Sequence, residues 1–465
     1  MSDGRALNSS ILREYDIRGV VGDTLNVADV EAIGRAFGTL VRERTASRAK
    51  VAVGYDGRLS SPDLSTSLCN GLASSGVDIV NVGVGPTPML YFATYRLEAD
   101  AGMMITGSHN PPEFNGIKVM LQGKSFFGDA IQDLGKRVAE GTFVPGAGDV
   151  AEIDITEDYL SRLLECLQST QLDLKVAWDP GNGASGDIVR QLVSRLDGAH
   201  VLINEEIDGT FPNHHPDPTV EKNLEQLKSV VAENGCDLGI GFDGDGDRIG
   251  VVDSQGRVLW GDQLMVIWAR DLLKRKPGST VIADVKTSSV LYDEVSRAGG
   301  NPFMWMTGHS LIKSKMAEME APLAGEMSGH IFFADEYYGF DDAIYAALRL
   351  LRVLSDEGQS IDSMRDALPV MYNTPEIRFD CPDYKKFRIA DEVRERLAQD
   401  PSANVHTMDG VRVETEDGWW LLRASNTQPV LVARCESATE VGLERLKGAV
   451  TDQLRQSGVE PPDFE

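Results

Sequence analysis

Ser108 lies in the string Ile105-Thr106-Gly107-Ser108-His109-Asn110-Pro111-Pro112, just after an apolar run over 101–105 that predicts a strand. The serine is therefore expected on a loop, where the following Asn-Pro ends regular structure and fixes the exit. A hydroxyl displayed in this way can act as a nucleophile. Far downstream, Asp243-Gly244-Asp245-Gly246-Asp247-Arg248 places three carboxylates at two-residue spacing between predicted strands over 236–242 and 249–253. Crowded carboxylates repel one another, and a divalent cation relieves the repulsion. An all-oxygen donor set favours Mg²⁺, Mn²⁺ or Ca²⁺. The two glycines let the backbone fold all three side chains inward. An EF-hand fails, because Arg248 stands where that loop needs glycine and Ser254 where it needs a bidentate glutamate. A displayed hydroxyl and a metal loop together point to phosphoryl transfer.

Three further clusters bear on the same chemistry. His109 by itself reads as structural, and Lys118 in Asn115-Gly116-Ile117-Lys118 reads as a surface lysine unless it reaches the same cleft. Gly325-Glu326-Met327-Ser328-Gly329-His330 carries a carboxylate, a hydroxyl and an imidazole at alternate positions. In an extended segment these would face one way and suit a carbohydrate's adjacent hydroxyls; the competing reading is an ordinary polar strand end. Arg423-Ala424-Ser425-Asn426-Thr427-Gln428 joins two apolar strands and supplies the donors that a phosphate monoester requires. A plain polar turn there would leave the arginine unexplained.

The elements that position these groups follow a pattern. Segments 50–56, 175–179 and 280–284 are apolar strands that each end in aspartate, followed by loop residues and a second strand. Glycine-bearing loops follow at 83–88, 208–216 and 307–309. Continuous apolar strands alternating with helices predict three similar α/β units, whose loops gather at the carboxyl ends of the strands. Strands over 376–379, 410–414, 419–423 and 430–436, with helices over 384–398 and 439–457, predict a C-terminal α+β unit. Boundaries are placed at 1–153, 154–255, 256–368 and 369–465.

The chain has 465 residues, too many for one ordinary core, and its 42% hydrophobic and 25% charged composition is that of a globular protein. Nothing in it is apolar for long enough to span a bilayer, and the first residues predict no signal peptide. Five scattered cysteines without a C-x-x-C pair predict a reduced, cytoplasmic protein. The net charge of −27 argues against nucleic acid and anionic membranes as partners. An anionic substrate would then need locally concentrated cations, and Arg18, Lys118, Arg248, Lys286, His309, His330 and Arg423 stand in or near the motifs.

The combination resembles the α-D-phosphohexomutase superfamily, above all its bacterial phosphomannomutase/phosphoglucomutase branch. The resemblance runs nearly end to end, through Glu14-Tyr15-Asp16-Ile17-Arg18-Gly19, the Ser108 string, Asp217-Pro218-Thr219, the aspartate loop, Thr307-Gly308-His309, the Glu326 string and the Arg423 string. It implies four domains around a central active-site cleft: three mixed α/β units and a C-terminal α+β domain that closes over substrate. It implies Ser108 as the phosphoserine, with Asp243, Asp245 and Asp247 holding Mg²⁺ together with a Ser108 phosphate oxygen. Glu326 and Ser328 match sugar contacts, and Arg423, Ser425, Asn426 and Thr427 match a phosphate loop. Tyr15, Arg18, Lys118, Arg248, Lys286, His309 and His330 match cleft positions, and Lys118 and His330 are both candidates for proton transfer. The activity implied is interconversion of hexose 1- and 6-phosphates, of mannose, glucose or both, through a hexose 1,6-bisphosphate that also serves as activator. Phosphoglucosamine mutase shares this chemistry, although its branch usually carries Gln at the position of Met327. A metal-dependent sugar phosphatase and a non-catalytic sugar-phosphate binder are further alternatives. The oligomeric state is left open, a monomer being compatible.

Overall fold

The computed structural model describes residues 4–45, 48–167, 170–398, 404–426 and 428–464. Its strands form four sheets that succeed one another along the chain. The first holds β1 (Ile17–Val20), β2 (Lys50–Tyr55), β3 (Asp78–Val84), β4 (Ala101–Ile105), β5 (Phe114–Leu121), β6 (Lys124–Ser125) and β7 (Val150–Glu152). The second holds β8 (Lys175–Asp179), β9 (Ala199–Leu202), β10 (Leu238–Phe242), β11 (Ile249–Asp253) and β12 (Val258–Leu259). The third holds β13 (Thr280–Asp284), β14 (Asn301–Trp305), β15 (Leu323–Gly325) and β16 (Ile331–Phe333). The fourth holds β17 (Tyr372–Asn373), β18 (Ile377–Asp380), β19 (Asn404–His406), β20 (Val411–Thr415), β21 (Gly418–Ala424) and β22 (Val430–Ser437).

One pattern occurs three times. β2, β8 and β13 each run parallel to the next strand in sequence, β3, β9 or β14. On its other side each runs parallel to β4, β10 or β15. That strand then turns back into antiparallel β5, β11 or β16. The weak repeat in the sequence is thus a repeat of topology. Its leading strands are apolar throughout because helices cover both faces, and Val51, Val53, Val176, Trp178, Val281 and Ile282 are fully buried or nearly so.

A continuous apolar core runs through the first three units, from Ala52 and Tyr91 through Trp178 and Leu238 to Trp268 and Leu350. The fourth sheet has its own core, around Val411, Trp420, Leu422 and Cys435, under helices Asp383–Leu397 and Glu440–Gln456. A small separate cluster, Val285 with Trp419 and Leu421, joins it to the third unit. Among the described residues, no helix is long and apolar enough to cross a membrane.

Candidate active site

The topological repeat places three equivalent turns side by side. The β4–β5 turn carries Ser108, the β10–β11 turn carries Asp243 to Asp247, and the β15–β16 turn carries Glu326 to His330. They are in direct contact. A Cβ on Gly244 would stand 2.4 Å from the Ser108 carbonyl oxygen, so only glycine lets the first two turns approach this closely. The Ile249 N–H donates to the Gly329 carbonyl at 3.1 Å, which joins the second turn to the third.

Ser108 is buried and adopts φ +48°, an uncommon conformation for a residue with a side chain. The conformation is held from several sides. The Ser108 N–H donates to Thr106 Oγ1 (2.8 Å) and the Gly107 N–H to Asp56 Oδ2 (2.9 Å). Arg58, 1% exposed, donates to the carbonyls of Ser108, Asn110, Pro111 and Phe114 at 2.5–2.9 Å. Arg18 donates to the Gly107 carbonyl (2.8 Å) and to Asn110 Oδ1 (2.6 Å). Replacing Arg58 with methionine should lower the unfolding free energy by about 3–5 kcal/mol, because four carbonyls lose a donor and the buried Asp56 carboxylate loses its ion-pair partner. Chemical denaturation measures this loss, and amide exchange across 106–114 should quicken with it.

The Ser108 hydroxyl donates to Asp243 Oδ2 at 2.9 Å and lies 3.2 Å from His109 Nδ1. Burial, with Arg248 and Arg18 nearby, holds His109 well below the usual histidine range, so its ring is neutral. Asp243, Asp245 and Asp247 are 0% exposed, and one oxygen from each lies within 4.8 Å of the others. Asp245 Oδ2 accepts from Thr87 Oγ1 (2.5 Å), Thr106 Oγ1 (3.1 Å) and Lys118 Nζ (2.7 Å); Lys118 also donates to Asp247 Oδ2 (2.5 Å). Burial works against the Lys118 ammonium, but Asp245 and Asp247 outweigh it and hold its pKa well above the ordinary value. Burial likewise opposes a charged Asp245, and Lys118 and Thr87 overcome it. Asp243 is pushed well above the carboxylate range by burial and then by its two acidic neighbours. Asp245 Oδ1 and Asp247 Oδ1 are buried without a hydrogen-bond partner, as befits a divalent cation held by oxygen ligands.

On the other flank, Arg248 Nε donates to His330 Nε2 at 2.9 Å. His330 Nδ1 lies 3.0 Å from Asp341 Oδ2 and 3.5 Å from Asp247 Oδ1. Asp341 is fully buried, also accepts from Lys313 Nζ (2.8 Å) and lies 3.6 Å from His309 Nδ1. The His309 ring stacks on that of His330, with centroids 5.3 Å apart.

The remaining groups line the far side. Lys286 Nζ pairs with Glu376 Oε2 at 3.0 Å and lies 3.6 Å from Asp284 Oδ2. Arg423 Nε donates to Asp409 Oδ2 at 3.0 Å. Tyr15 OH donates to the Thr307 carbonyl and accepts from Asn426 Nδ2, both at 2.8 Å, so it links the first, third and fourth units. The Ser425 N–H donates to the Val430 carbonyl (3.0 Å), and Ser425 Oγ accepts the Gln428 N–H (3.2 Å), which shapes the loop from within. Thr427 lies outside the described residues.

One expectation requires correction. Residues 326–330 are not extended but form a tight turn, closed by the Glu326 N–H on the His330 carbonyl (2.9 Å) and the Gly329 N–H on the Glu326 carbonyl (3.0 Å). Gly329 takes φ +88°, which a strand does not allow. Glu326 and Ser328 still share a side, with Ser328 Oγ 3.4 Å from Glu326 Oε2, but the turn brings them together rather than strand alternation. Sequence reasoning missed Arg58, Thr87, Asp341, Glu376 and Asp409. For Arg58 a signal was present: it lies two residues beyond the first of the three strand-terminal aspartates.

The chain matches four consecutive domain families: phosphoglucomutase/phosphomannomutase alpha/beta/alpha domain I over 9–145, domain II over 157–256, domain III over 260–372, and the C-terminal domain over 376–453. It is 45% identical to a phosphomannomutase/phosphoglucomutase of Pseudomonas aeruginosa, over 98% of both chains. It is 41% identical to a phosphoglucomutase of Neisseria meningitidis, over 94% of this chain and 95% of the other. A crystal structure of a phosphoglucomutase/phosphomannomutase family protein from Burkholderia thailandensis superposes with a TM-score of 0.92 at 39% identity, covering 99% of this chain and 100% of that one.

Proposed function

The chain belongs to the α-D-phosphohexomutase superfamily, in its bacterial phosphomannomutase/phosphoglucomutase branch, and on that premise we propose how its residues interconvert hexose 1-phosphates and hexose 6-phosphates. The observation that carries the reading is the Ser108 hydroxyl, 2.9 Å from the first of three buried aspartates and fixed there by Arg58.

In the working enzyme Ser108 carries a phosphoryl group. A free hydroxyl of the bound hexose monophosphate attacks it; the P–O bond to Ser108 breaks as one to the sugar forms, and the hydroxyl proton passes to a base. The product is a hexose 1,6-bisphosphate. It reorients in the cleft and returns its other phosphate to Ser108, releasing the isomeric monophosphate. Free bisphosphate acts as activator by rephosphorylating a bare Ser108. Asp243, Asp245, Asp247 and a Ser108 phosphate oxygen would hold Mg²⁺, whose charge neutralises the transferring group when bound. Arg18, Lys118 and Arg248 supply further positive charge around Ser108. Lys118 and His330 are the two candidates to take the proton: Lys118 Nζ is engaged by Asp245 and Asp247, while His330 accepts from Arg248 at Nε2 and has Asp341 3.0 Å from Nδ1. Arg423, Ser425, Asn426 and Thr427 hold the phosphate that is not reacting. All five cysteines are free and buried, which supports a cytoplasmic setting.

Peptide mapping of the purified protein tests the reading. A phosphate on the Ser108 peptide, with hexose 6-phosphate as the main product from hexose 1-phosphate, is expected. Inorganic phosphate as the main product would make the protein a phosphatase, and no turnover would make it a binding protein. Glu326 and Ser328 must grip the sugar in both orientations, so the 2-hydroxyl is weakly read. Glucose 1-phosphate and mannose 1-phosphate should therefore differ in kcat/KM by less than about 100-fold. A coupled assay on both sugars measures this ratio.

A further inference from the structure

The loop that presents Lys286 is held by the fourth unit, and nearly every polar main-chain group in it has a partner. Arg412 donates to the carbonyls of Val285 (2.8 Å) and Thr287 (2.7 Å). Arg434 donates to the carbonyl of Lys286 itself and lies against Met327 Sδ. Glu436 Oε1 accepts from the Ser289 N–H and hydroxyl, both at 2.9 Å, and from Trp419 Nε1 at 2.8 Å. Both arginines are buried, and the Arg412 guanidinium lies 3.8 Å over the Trp419 ring. Val285 packs against Trp419 and Leu421 beneath them.

These groups share one face of the fourth sheet. Arg412, Leu421 and Arg434 are direct cross-strand neighbours, as are Trp419 and Glu436. On β21 the same face runs Trp419, Leu421, Arg423, because alternate residues point one way. Arg423, the arginine assigned to the non-reacting phosphate, is therefore the next residue on the face that grips the Lys286 loop. Apart from the long covalent path from 286 to 423, the two cations are related through this grip and through the contacts of Glu376 with Lys286 and of Asp409 with Thr307 and Arg423.

We propose that Arg412 and Arg434 are positioning residues, holding the 285–289 main chain to the fourth sheet so that Lys286 and Arg423 meet the substrate's phosphate in fixed register. Neither side chain needs to touch substrate. The proposal rests on the hexose phosphate reading above. It ties Lys286 to the fourth unit, although it belongs to the third unit by sequence.

Steady-state kinetics and hydrogen exchange on the full chain test it. Arg412→Met and Arg434→Met should each raise KM for glucose 1-phosphate about tenfold or more. Amides 285–289 should exchange faster while those of β4 and β10 stay protected. In a Lys286→Met background the Arg434→Met change should cost less than about twofold more, because it acts through Lys286. Should either methionine variant fail to fold, Glu436→Gln, which keeps the shape and removes the charge facing Ser289, should show the same shifts to a smaller degree. Full additivity with Lys286→Met, or unchanged KM and unchanged exchange at 285–289 in a folded variant, overturns the proposal. These outcomes are read against a wild-type protein that interconverts hexose phosphates; a wild-type protein without that activity would overturn the functional reading instead.

Discussion

Ser108→Ala should lower kcat for hexose phosphate interconversion by at least about 10⁴-fold, leaving KM nearly unchanged. The split follows from the geometry. Ser108 contributes one hydroxyl, bonded to Asp243, while the conformation of its loop is held through main-chain groups by Arg58, Arg18 and Asp56. Alanine keeps those main-chain contacts, so the cleft that binds sugar and phosphate is preserved and only the carrier of the phosphoryl group is lost. Thermal unfolding should move little, which separates lost chemistry from lost fold. Rate assays with peptide mapping decide the matter. A variant of near-normal rate would remove Ser108 from the mechanism.

Removal of the metal should have the next largest effect. Chelation should lower the rate by about 10³-fold or more, with recovery on adding Mg²⁺, since the ion supplies several kcal/mol of charge stabilisation in the transition state. Asp245→Asn should cause a comparable loss that added Mg²⁺ does not restore. A second readout is independent of activity. Mg²⁺ at about 100 times its Kd should stabilise the wild-type protein by about 2.7 kcal/mol, and this shift should be absent in Asp245→Asn. Asp245 is chosen because it combines an unpartnered buried oxygen with the Lys118 contact, so asparagine removes a ligand charge and loosens the ammonium beside it. If the unfolding temperature of the wild-type protein ignores Mg²⁺, the three aspartates are not a metal site.

The strands and the main motifs were legible because their signals are local. β4, β8, β11 and β13 are continuous apolar runs, and covered sheets require such runs. The aspartate loop and the Ser108 string stand out because chemistry and turn residues coincide within a few positions. The Glu326 turn was misread as extended because alternating polar residues also fit a tight turn, and the left-handed φ of Gly329 and the hydrogen bonds that close the turn tell the two apart. Asp341, Asp409 and Glu376 carry no local signal. Each acquires its role from a cation or imidazole brought beside it by another segment: His330 and Lys313, Arg423, and Lys286. The grip of Arg412 and Arg434 on the Lys286 loop was illegible for the same reason, since it is a property of two sheets in contact.

The second of the three equivalent turns touches each of the other two, through main-chain atoms at Gly244 and Gly329 as well as through side chains. Lengthening any one of them by a single residue would shift the other two. Change in chain length is thereby better tolerated in the outer helices and the connections behind the sheets, and side chains can be exchanged at the tips only away from Gly244 and Gly329, where a Cβ would strike the neighbouring turn. Such a chain is free to alter which sugar it prefers, but has almost no freedom to alter where the reaction takes place.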